Sequence, residues 1–371
     1  MTDILPGLYI HIPFCIKKCP YCDFYSTDDL QSVSGFIDAL EQEIFLYKNR
    51  FEKFDTLYFG GGTPTVLTAA DIERIFTCLS KHFTISLEPE ITIEANPNDI
   101  TREKFKRLRS IGFNRISLGV QSFDESALGF LNRRHTASEA CEAITLLRQE
   151  GCSNLSIDLM YAIPGQTMTS WMDTLEQAVS FNPEHLSCYQ LTIKEQTPFW
   201  NLKEKGSIQP PDEEAQERLF LTTAAFLERH GYIQYEISNF AREEKYFGLH
   251  NSKYWQHAPN LGLGPSAHSF FDATRWWNFA SVRQYIHMLQ SSASPVEGSE
   301  KISGDQLLLE SLFLQFRTSQ GVDLEMFKKI AGAEKILDRL VQAKLVTNSG
   351  TRVMATKQGL LVADSLPLLF V

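Results

Sequence analysis

Short apolar segments alternate with helix-period segments six times through the first 235 residues of the chain. The apolar segments are predicted as strands: Leu8–Ile12, Thr56–Phe59, Ile91–Ala95, Arg115–Val120, Leu155–Leu159 and Leu186–Leu191. The helix-period segments are predicted as helices: Val33–Lys48, Ala70–Lys81, Arg102–Ser110, Ser138–Gln149, Ser170–Ser180 and Glu213–His230. Strands that alternate with helices form parallel sheets. The sequence therefore predicts an α/β fold, and six such units predict an open, partial barrel.

The unusual residues of this region fall at the same place in each predicted unit, at or just after the end of the strand. A cysteine-rich loop follows the first strand, and the run GGGTP at 60–64 follows the second. The other four strand ends carry Glu94, Gln121, Asp158 and Gln190. Parallel α/β barrels build their ligand sites at the carboxyl ends of the strands. We therefore expect one site that all six units share.

Three cysteines on the first loop, Cys15, Cys19 and Cys22, carry the most specific chemical signal. The spacing C-x3-C-x2-C brings three thiolates within reach of one another, and cysteine thiolate is the usual ligand of iron–sulfur clusters. Three ligands for a cluster of four irons leave one iron free to bind and activate a small molecule. Zinc is the competing interpretation, but a structural zinc site requires a fourth Cys or His nearby. The spacing favours a [4Fe-4S] cluster over zinc or three unrelated thiols.

Composition limits the class of protein and its compartment. The 371 residues are 43% hydrophobic and 22% charged, which is ordinary for a globular protein of one or more domains. The N-terminus has no signal-peptide pattern, and no apolar run is long enough to span a membrane. The remaining cysteines are scattered, so free thiols in a reducing, cytoplasmic compartment are expected. The formal net charge of −10 argues against nucleic acid as a partner.

The residues after the predicted barrel differ in kind. Residues 236–290 are rich in aromatics and glycine and are predicted as a β-rich extension of the barrel, and 291–304 have linker composition. Residues 305–371 contain predicted helices at Asp305–Phe316, Leu324–Ala331 and Glu334–Ala343, followed by a hairpin at Leu345–Ala355. This order predicts a small winged-helix-like domain. Because no dense basic face is apparent, a packing or partner role is favoured over DNA binding.

Several motifs along nearly the whole chain together resemble the radical S-adenosylmethionine (SAM) superfamily. They are LYIHIPFC, YFGGGTPT, IEANP, SLGVQSF, NRRH, DLMYAIPGQT, YEISNF, HNSKYW and GVDLEMF. Within that superfamily the chain is similar to the HemN/HemW group, which contains coproporphyrinogen dehydrogenases and related heme chaperones. The resemblance implies that the three cysteines hold a [4Fe-4S] cluster. It also implies that S-adenosyl-L-methionine binds the fourth iron and that one electron cleaves its sulfonium to release a 5′-deoxyadenosyl radical.

The resemblance also assigns cofactor-binding residues, position by position. The backbone of Gly61, Gly62 and Thr63 can approach the methionine end of SAM closely, because their side chains are absent or small. Acidic side chains suit ribose hydroxyls or the methionine ammonium, and Arg133 suits a carboxylate. The other matching positions are Tyr9, Tyr21, Glu94, Gln121 and Asp158. No residue is assigned a catalytic role. Each match alone would be weak, and the shared location at the strand ends supports them jointly.

Two features separate the chaperone branch of the group from the oxidase branch. The oxidases carry a further cysteine two positions past the third cluster ligand, where this chain has Phe24, and a long N-terminal segment, whereas only 14 residues precede Cys15 here. The stretch HNSKYW resembles the HNxxYW signature of the chaperones. It implies His250 as an axial ligand of heme iron, with Tyr254 and Trp255 packing on the macrocycle. His257 and His268 are alternative ligands, and a purely structural role of His250 is the competing interpretation.

These implications predict a heme chaperone that binds one heme and passes it to an acceptor apoprotein of the respiratory system. An electron donor protein is expected as a second partner, and neither nucleic acid nor stable membrane insertion is expected. Oxygen-independent oxidation of coproporphyrinogen III is the main alternative. A radical SAM enzyme acting on some other substrate is a further alternative.

Overall fold

Six parallel strands, paired in chain order, form the centre of the fold in a computed structural model that describes residues 4–370. The strands are β1 (Gly7–Ile12), β2 (Lys53–Gly61), β3 (Thr84–Ala95), β4 (Arg115–Gln121), β5 (Leu155–Tyr161) and β6 (His185–Gln190). All five successive pairs are parallel. The predicted α/β fold with a six-unit partial barrel is therefore confirmed.

Helices connect these strands and cover one face of the sheet. They are α1 (Val33–Tyr47), α2 (Ala69–His82), α3 (Arg102–Ile111), α4 (Glu125–Phe130), α5 (Ala137–Gln149), α6 (Met168–Ser180), α7 (Pro198–Glu204) and α8 (Glu213–Arg229). Capping boxes at Thr68, Thr136 and Thr167 fix the starts of α2, α5 and α6. The two short helices α4 and α7 were not predicted, because one or two turns carry too little periodicity to be recognised.

The two faces of the central sheet have opposite character. Leu8, Ile10 and Ile12 of β1 are fully buried in the hydrophobic core beneath the helices. Since side chains alternate along a strand, the intervening residues point to the other face. On β3 and β5 that second face carries Glu94 and Asp158, which line a cavity. The core therefore lies outside the partial barrel, and the inside of the barrel is polar.

Further strands extend the same sheet at both edges to twelve strands among the described residues. Beyond β6 lie β7 (Ile233–Gln234) and β8 (Asn239–Ala241), and beyond β1 lie β9 (Asn260–Leu263), β10 (His268–Phe271), β11 (Thr274–Asn278) and β12 (Val296–Lys301). The strand β9 is parallel to β1, whereas β9 to β12 pair antiparallel with one another. Helices α9 (Leu249–Trp255) and α10 (Val282–Gln290) belong to the same region. The β-rich extension is thus part of the barrel sheet.

The sheet does not follow the predicted boundaries at two points. Residues 291–304, predicted as a linker, instead contain the edge strand β12 at Val296–Lys301. Its polar sequence VEGSEK suits an exposed sheet edge, and that composition is hard to distinguish from a linker. The predicted boundary after residue 235 falls between β7 and β8, which pair with each other. The barrel sheet therefore continues past that position.

The C-terminal residues form a second, smaller assembly. Its elements are α11 (Gly304–Gln315), β13 (Val322–Asp323), α12 (Leu324–Phe327), α13 (Ala333–Gln342), β14 (Val346–Ser349), β15 (Arg352–Ala355) and α14 (Lys357–Leu361). The three strands form their own sheet, and a separate apolar cluster includes Phe316, Phe327 and Leu340. The order of helices and hairpin agrees with the predicted one, and its identity as an independent winged-helix-like domain stays a prediction. No helix within residues 4–370 is long and apolar enough to cross a membrane.

Candidate cofactor site

The inside of the partial barrel contains a cavity of about 440 Å³ at the carboxyl ends of the strands. Nine of the thirteen predicted site residues line it: Tyr21, Cys22, Gly61, Gly62, Thr63, Glu94, Gln121, Arg133 and Asp158. A larger, open groove of about 1220 Å³ lies outside the barrel between α1, α2 and α10, and no predicted site residue lines that groove. The chemistry predicted from the strand ends therefore converges on the inner cavity.

The cysteine loop leaves β1 and is tied at its base to the strand end. The Cys15 amide donates to the Thr27 carbonyl at 2.9 Å, and the Thr27 amide donates to the Pro13 carbonyl at 2.7 Å. Within the loop, the Cys22 amide donates to the Cys19 carbonyl at 3.2 Å. These bonds fold residues 15–22 back over the opening of the barrel, where Cys22 reaches the cavity wall.

The three thiols lie in one another's electrostatic field. Burial raises the pKa of the Cys22 thiol to about 11, and the nearby thiols of Cys19 and Cys15 contribute to the rise. Burial also raises the pKa of Cys15, against a hydrogen bond from Thr63, whose hydroxyl oxygen lies 3.6 Å from the sulfur. Among residues 4–370, no three Cys, His, Asp or Glu side chains converge as ligands of a single ion would. The thiols are therefore neighbours without meeting at one point.

The glycine run after β2 holds the cysteine loop at close range. The Gly62 amide donates to the Ile12 carbonyl and the Thr63 amide to the Phe14 carbonyl, both at 2.8 Å. A Cβ at Gly62 would lie 2.7 Å from the Phe14 carbonyl oxygen. Gly61 has a φ of 109°, a conformation that side chains disfavour. Only glycine permits this approach, which leaves the backbone between the cysteine loop and the cavity without side chains.

Two buried carboxyl groups face the cavity from β3 and β5. Glu94 accepts from the Tyr58 hydroxyl at 2.8 Å and from the Gly61 amide at 3.1 Å. Burial raises the pKa of Glu94 to about 7, and the neighbouring Asp158 adds to the rise. Asp158 accepts from the Ser117 hydroxyl at 2.8 Å, and burial raises its pKa as well. A cationic ligand in the cavity would favour the ionised form of both groups.

Arg133 joins the cysteine loop to the opposite wall of the cavity. Its Nη2 donates to the Gly119 carbonyl at 2.7 Å, and its Nη1 lies 3.5 Å from both the Cys19 sulfur and the Tyr21 hydroxyl. Its Nε is buried and has no hydrogen-bond partner in the described part of the chain. A buried donor without a partner is costly. The guanidinium can therefore accommodate a carboxylate, as the predicted contact with SAM requires.

Gln121 reaches the cavity because β4 ends irregularly. The pairing of β4 with β5 shifts register between Gly119 and Gln121, and Gln121 has a φ of 70°. Such a bulge re-aims a side chain at the end of a strand. The sequence predicted Gln121 from its place after the strand, but it gave no sign of the shift.

Tyr9 and His250 do not line the cavity. The Tyr9 hydroxyl lies 3.0 Å from His11 Nδ1, and its ring stacks on that of Tyr58 with 6.1 Å between centroids. Tyr9 therefore supports the side chain of Tyr58, which in turn donates to Glu94. His250 is 1% exposed, on α9, and its ring also stacks on that of Tyr58, with 5.1 Å between centroids. His250 therefore lies behind the cavity wall, where its ring also stacks on that of Tyr9 with 6.4 Å between centroids.

The sequence reading missed the floor of the cavity. Arg115, at the start of β4, donates to Asn154 Oδ1 and to the Tyr246 carbonyl, each at 3.0 Å. His185, at the start of β6, contacts the hydroxyls of Ser156 and Tyr235 at 2.8 Å. Arg115 shares its strand face with Ser117, two positions further on, and His185 shares its face with Ser187, and all four line the cavity. The alternation of side chains along a strand was the signal that could have identified them.

The pattern of the radical SAM superfamily matches residues 9–178, which include the cysteine loop, the glycine run, both acids and Arg133. The solved structure of coproporphyrinogen III oxidase (HemN) from Escherichia coli, a radical SAM enzyme, is similar over 99% of this chain and 90% of that chain. The TM-score is 0.85 and the sequence identity 25%. Fold and site thus define a radical SAM protein, and this class implies a [4Fe-4S] cluster and SAM as cofactors.

Curated relatives narrow the class further. The heme chaperone HemW of Bacillus subtilis (strain 168) is 33% identical, with 97% of each chain covered. The heme chaperone HemW of Mycobacterium tuberculosis (strain H37Rv) is 32% identical over 97% of this chain and 93% of that protein. The HemW of Haemophilus influenzae is 37% identical over 71% and 69%. The chain belongs to the HemW family of the radical SAM superfamily.

Proposed function

We propose that this protein is a heme chaperone that binds a [4Fe-4S] cluster, SAM and heme and transfers the heme to an acceptor protein. The observation that carries the proposal is the similarity to HemW heme chaperones along 97% of both chains. The inner cavity supports it, because the thiols, the glycine run, the acids and the buried arginine are each suited to the cofactors of the class.

Each cavity residue has a proposed task. Cys15, Cys19 and Cys22 would hold the cluster, which with SAM supplies one-electron chemistry when both are bound. The free Nε of Arg133 would donate to the SAM carboxylate, and the carboxyl of Glu94 would accept from its ammonium. Asp158 and Gln121 are the candidates for the ribose hydroxyls. Gly61, Gly62 and Thr63 would present backbone groups, and Tyr21, which lies on the cysteine loop, would contribute backbone or ring contacts.

Phe24 is the local feature that favours the chaperone over the oxidase. Its side chain is 65% exposed and lies at the rim of the cavity. The resemblance to the group implies that the oxidases carry a further cysteine at this position. A phenyl ring at this position cannot act as a thiol ligand or nucleophile. The structural similarity to the oxidase from E. coli keeps oxidation of coproporphyrinogen III as the second candidate function.

The proposed partners follow from the same family. We infer an acceptor apoprotein of the respiratory system, an electron donor protein for the cluster, and a cytoplasmic location. The residues of α11 to β15 offer a surface for packing or for a protein partner. Heme ligation by a histidine follows from the same family, and the resemblance offers His250 of the HNxxYW stretch, His257 and His268 as candidates.

An anaerobic reconstitution with iron and sulfide tests the proposal. The loaded protein is titrated with heme in the presence and absence of SAM and then mixed with an excess of an apo-b-type cytochrome. We expect saturable binding of one heme per chain and its appearance in the cytochrome. In parallel, the protein is incubated with coproporphyrinogen III, SAM and a reductant. Formation of protoporphyrinogen without tight heme binding would overturn the proposal in favour of the oxidase.

A further inference from the structure

Three histidines compete as the axial ligand of heme iron, and their environments differ sharply. Axial ligation requires a ring nitrogen with a free lone pair that points into open space. His250 fails this requirement. Its Nδ1 lies 2.9 Å from the Thr56 hydroxyl and its Nε2 lies 2.9 Å from the Tyr254 hydroxyl. Both nitrogens are engaged inside the protein, so ligation by His250 would require breaking two buried hydrogen bonds.

His257 is also engaged. Its Nδ1 lies 3.3 Å from the Ser311 hydroxyl of α11, and its Nε2 lies 3.5 Å from the Glu310 carboxylate of the same helix. Its ring stacks on that of Phe270, with 4.5 Å between centroids. The contacts of His257 therefore join the sheet extension to α11 and leave little room for a macrocycle.

His268 differs from both, because its backbone is fixed and its ring is open. Asn260 Nδ2 donates to the His268 carbonyl at 3.2 Å, and a Cβ at Gly262 would lie 2.3 Å from that carbonyl oxygen. The next residue, Ser269, accepts from the Gly262 amide at 2.9 Å. The side chain of His268 is exposed, and within residues 4–370 its ring nitrogens have no hydrogen-bond partner.

A flat aromatic surface lies beside this open ring. Strand pairing places His268 opposite Trp277, and Trp277 opposite Gly298, so the three residues occupy one face of the sheet. The rings of His268 and Trp277 stack at 27° with 6.0 Å between centroids. A Cβ at Gly298 would lie 2.5 Å from the indole, so glycine lets the ring lie flat on the strand. A planar macrocycle can pack on such a surface.

This face is adjacent to the wall of the inner cavity. His268 lies close enough to His11 that its charge lowers the pKa of that buried ring, alongside the larger effect of burial. His11 in turn contacts Gly61, where a Cβ would meet its ring at 2.6 Å. The open histidine therefore lies on the side of the sheet that also holds the cofactor cavity.

We propose that His268 is the axial ligand through which the protein holds heme as cargo, with Trp277 packing on the macrocycle. This inference rests on the proposed chaperone function. It assigns to His250 a structural role, in which the hydrogen bond to Thr56 joins α9 to β2 and the bond to Tyr254 lies within α9. An exposed ligand on a rigid strand suits a carrier, because the iron can be reached by the acceptor protein without unfolding of the site.

Optical and EPR titrations of the cluster-loaded, full-length protein with ferric heme b test this inference. Loss of a partner that merely supports a metal ligand reduces affinity about 10- to 100-fold, so loss of the ligand itself should weaken binding by about 100-fold or more. We expect this for His268→Ala, together with loss of the histidine-ligated heme spectrum. Added imidazole should restore that spectrum. His268→Met should retain binding with a changed spectrum, because a thioether replaces the imidazole.

Three matched variants complete the experiment. His250→Ala, His257→Ala and His287→Ala, the last an exposed histidine on α10, should all keep the wild-type spectrum. The inference is overturned if His268→Ala binds heme with the affinity and spectrum of the wild type, whether or not His250→Ala or His257→Ala loses the spectrum. If the wild-type protein itself binds no heme, the proposed function fails, which is a distinct result. Cluster absorbance in each variant verifies that the barrel is folded.

Discussion

The inner cavity of the barrel and the His268 face of the β9–β12 extension lie on the same side of one sheet and are built by opposite means. The cavity is lined by charged and polar groups that are half-buried, such as Glu94, Asp158 and Arg133. The extension presents His268 and Trp277 on a strand face that glycines keep flat. The first region is suited to a resident cofactor, and the second to a ligand that arrives and leaves.

The difference teaches how one sheet can serve two binding tasks. Burial of an ionisable group shifts its pKa and carries a desolvation penalty, which the binding of an oppositely charged ligand offsets. Aromatic and glycine residues at an open edge carry no such cost, and they bind by contact area rather than by charge. If the two regions are separate in function, changes in one should leave binding in the other intact.

The largest effect is expected from Cys19→Ala. Removal of one of three thiolates leaves the cluster with two protein ligands, and we expect almost complete loss of bound iron and sulfide after reconstitution. Because the heme face lies outside the cavity, heme binding should persist. Cys141→Ala, a half-buried thiol on α5, is the matched control and should retain the cluster. Iron analysis and a heme titration of both variants check this prediction. Loss of both cluster and heme binding in Cys19→Ala would show that the two regions are not independent.

Arg133→Ala should have the next largest effect. A hydrogen bond to a charged group contributes about 1.5–3 kcal/mol, so loss of the guanidinium should weaken SAM binding about 10- to 100-fold. Arg133→Lys keeps the charge but loses the planar guanidinium, so its affinity for SAM should lie between that of the wild type and that of Arg133→Ala. The control is Arg134→Ala, whose side chain pairs with Asp99 at 2.9 Å instead. Equilibrium dialysis of SAM with cluster-loaded protein measures the affinity of each variant relative to that of the wild type. Equal affinities of the Ala variants at 133 and 134 would refute the assignment.

Gly262→Ala perturbs the extension alone. The new Cβ would lie 2.3 Å from the His268 carbonyl, so β10 must shift, at a cost of about 1–3 kcal/mol in unfolding free energy. Because the shift of β10 moves His268, heme affinity should fall, while cluster content should stay at the wild-type level. Gly304→Ala, which has nothing within 4 Å, should change stability by less than about 0.5 kcal/mol. Urea unfolding and heme titration provide the measurements. Unchanged heme binding in Gly262→Ala would show that the position of β10 does not matter.

The smallest effect is a pH dependence that belongs to Glu94. In the protein without SAM its pKa is about 7, so the carboxyl is mostly protonated below that pH. If the ammonium of SAM binds the carboxylate, a proton must leave, and affinity should rise about tenfold per pH unit up to about pH 7 and then level off. Glu94→Gln should abolish this slope.

The matched control is Glu43→Gln. Burial also raises the pKa of Glu43 to about 7, but that residue accepts from Tyr285 and Asn278 in the core. The pH dependence of SAM affinity in Glu43→Gln should therefore equal that of the wild type. Calorimetry in buffers of different ionisation enthalpy counts the released protons. An identical slope in Glu94→Gln and the wild type would remove Glu94 from the SAM site.

The regular part of the fold could be predicted from the sequence because each unit repeats a local signal. Apolar strand, polar strand end and helix recur six times, and five of the six helices begin at a capping side chain. Glu94 and Asp158 come together because parallel strands all end at one edge. The function of these residues needed the resemblance to a family, since Arg133 beside Arg134 gives no local sign of which guanidinium turns inward. The structure separates the two by their partners, Gly119 and Asp99.

The irregular part could not be predicted, because it depends on contacts distant in sequence. The strand β9 pairs with β1 across some 250 residues of chain, and the polar edge strand β12 has the composition of a linker. The same limit applies to His250. Its motif was interpreted as carrying a heme ligand, whereas long-range contacts with Thr56 and Glu90 place it in the interior. No pattern within HNSKYW reveals those partners.

A single titration tests the account most directly: ferric heme is added to protein that already carries SAM and an oxidised cluster enriched in the Mössbauer-active iron isotope, and the heme is followed by EPR and the cluster by Mössbauer spectroscopy. Two separate sites on one sheet predict one heme per chain, a histidine-ligated spectrum and an unchanged cluster signal. Failure to bind heme, or loss of the cluster signal in proportion to the heme bound, would contradict the account.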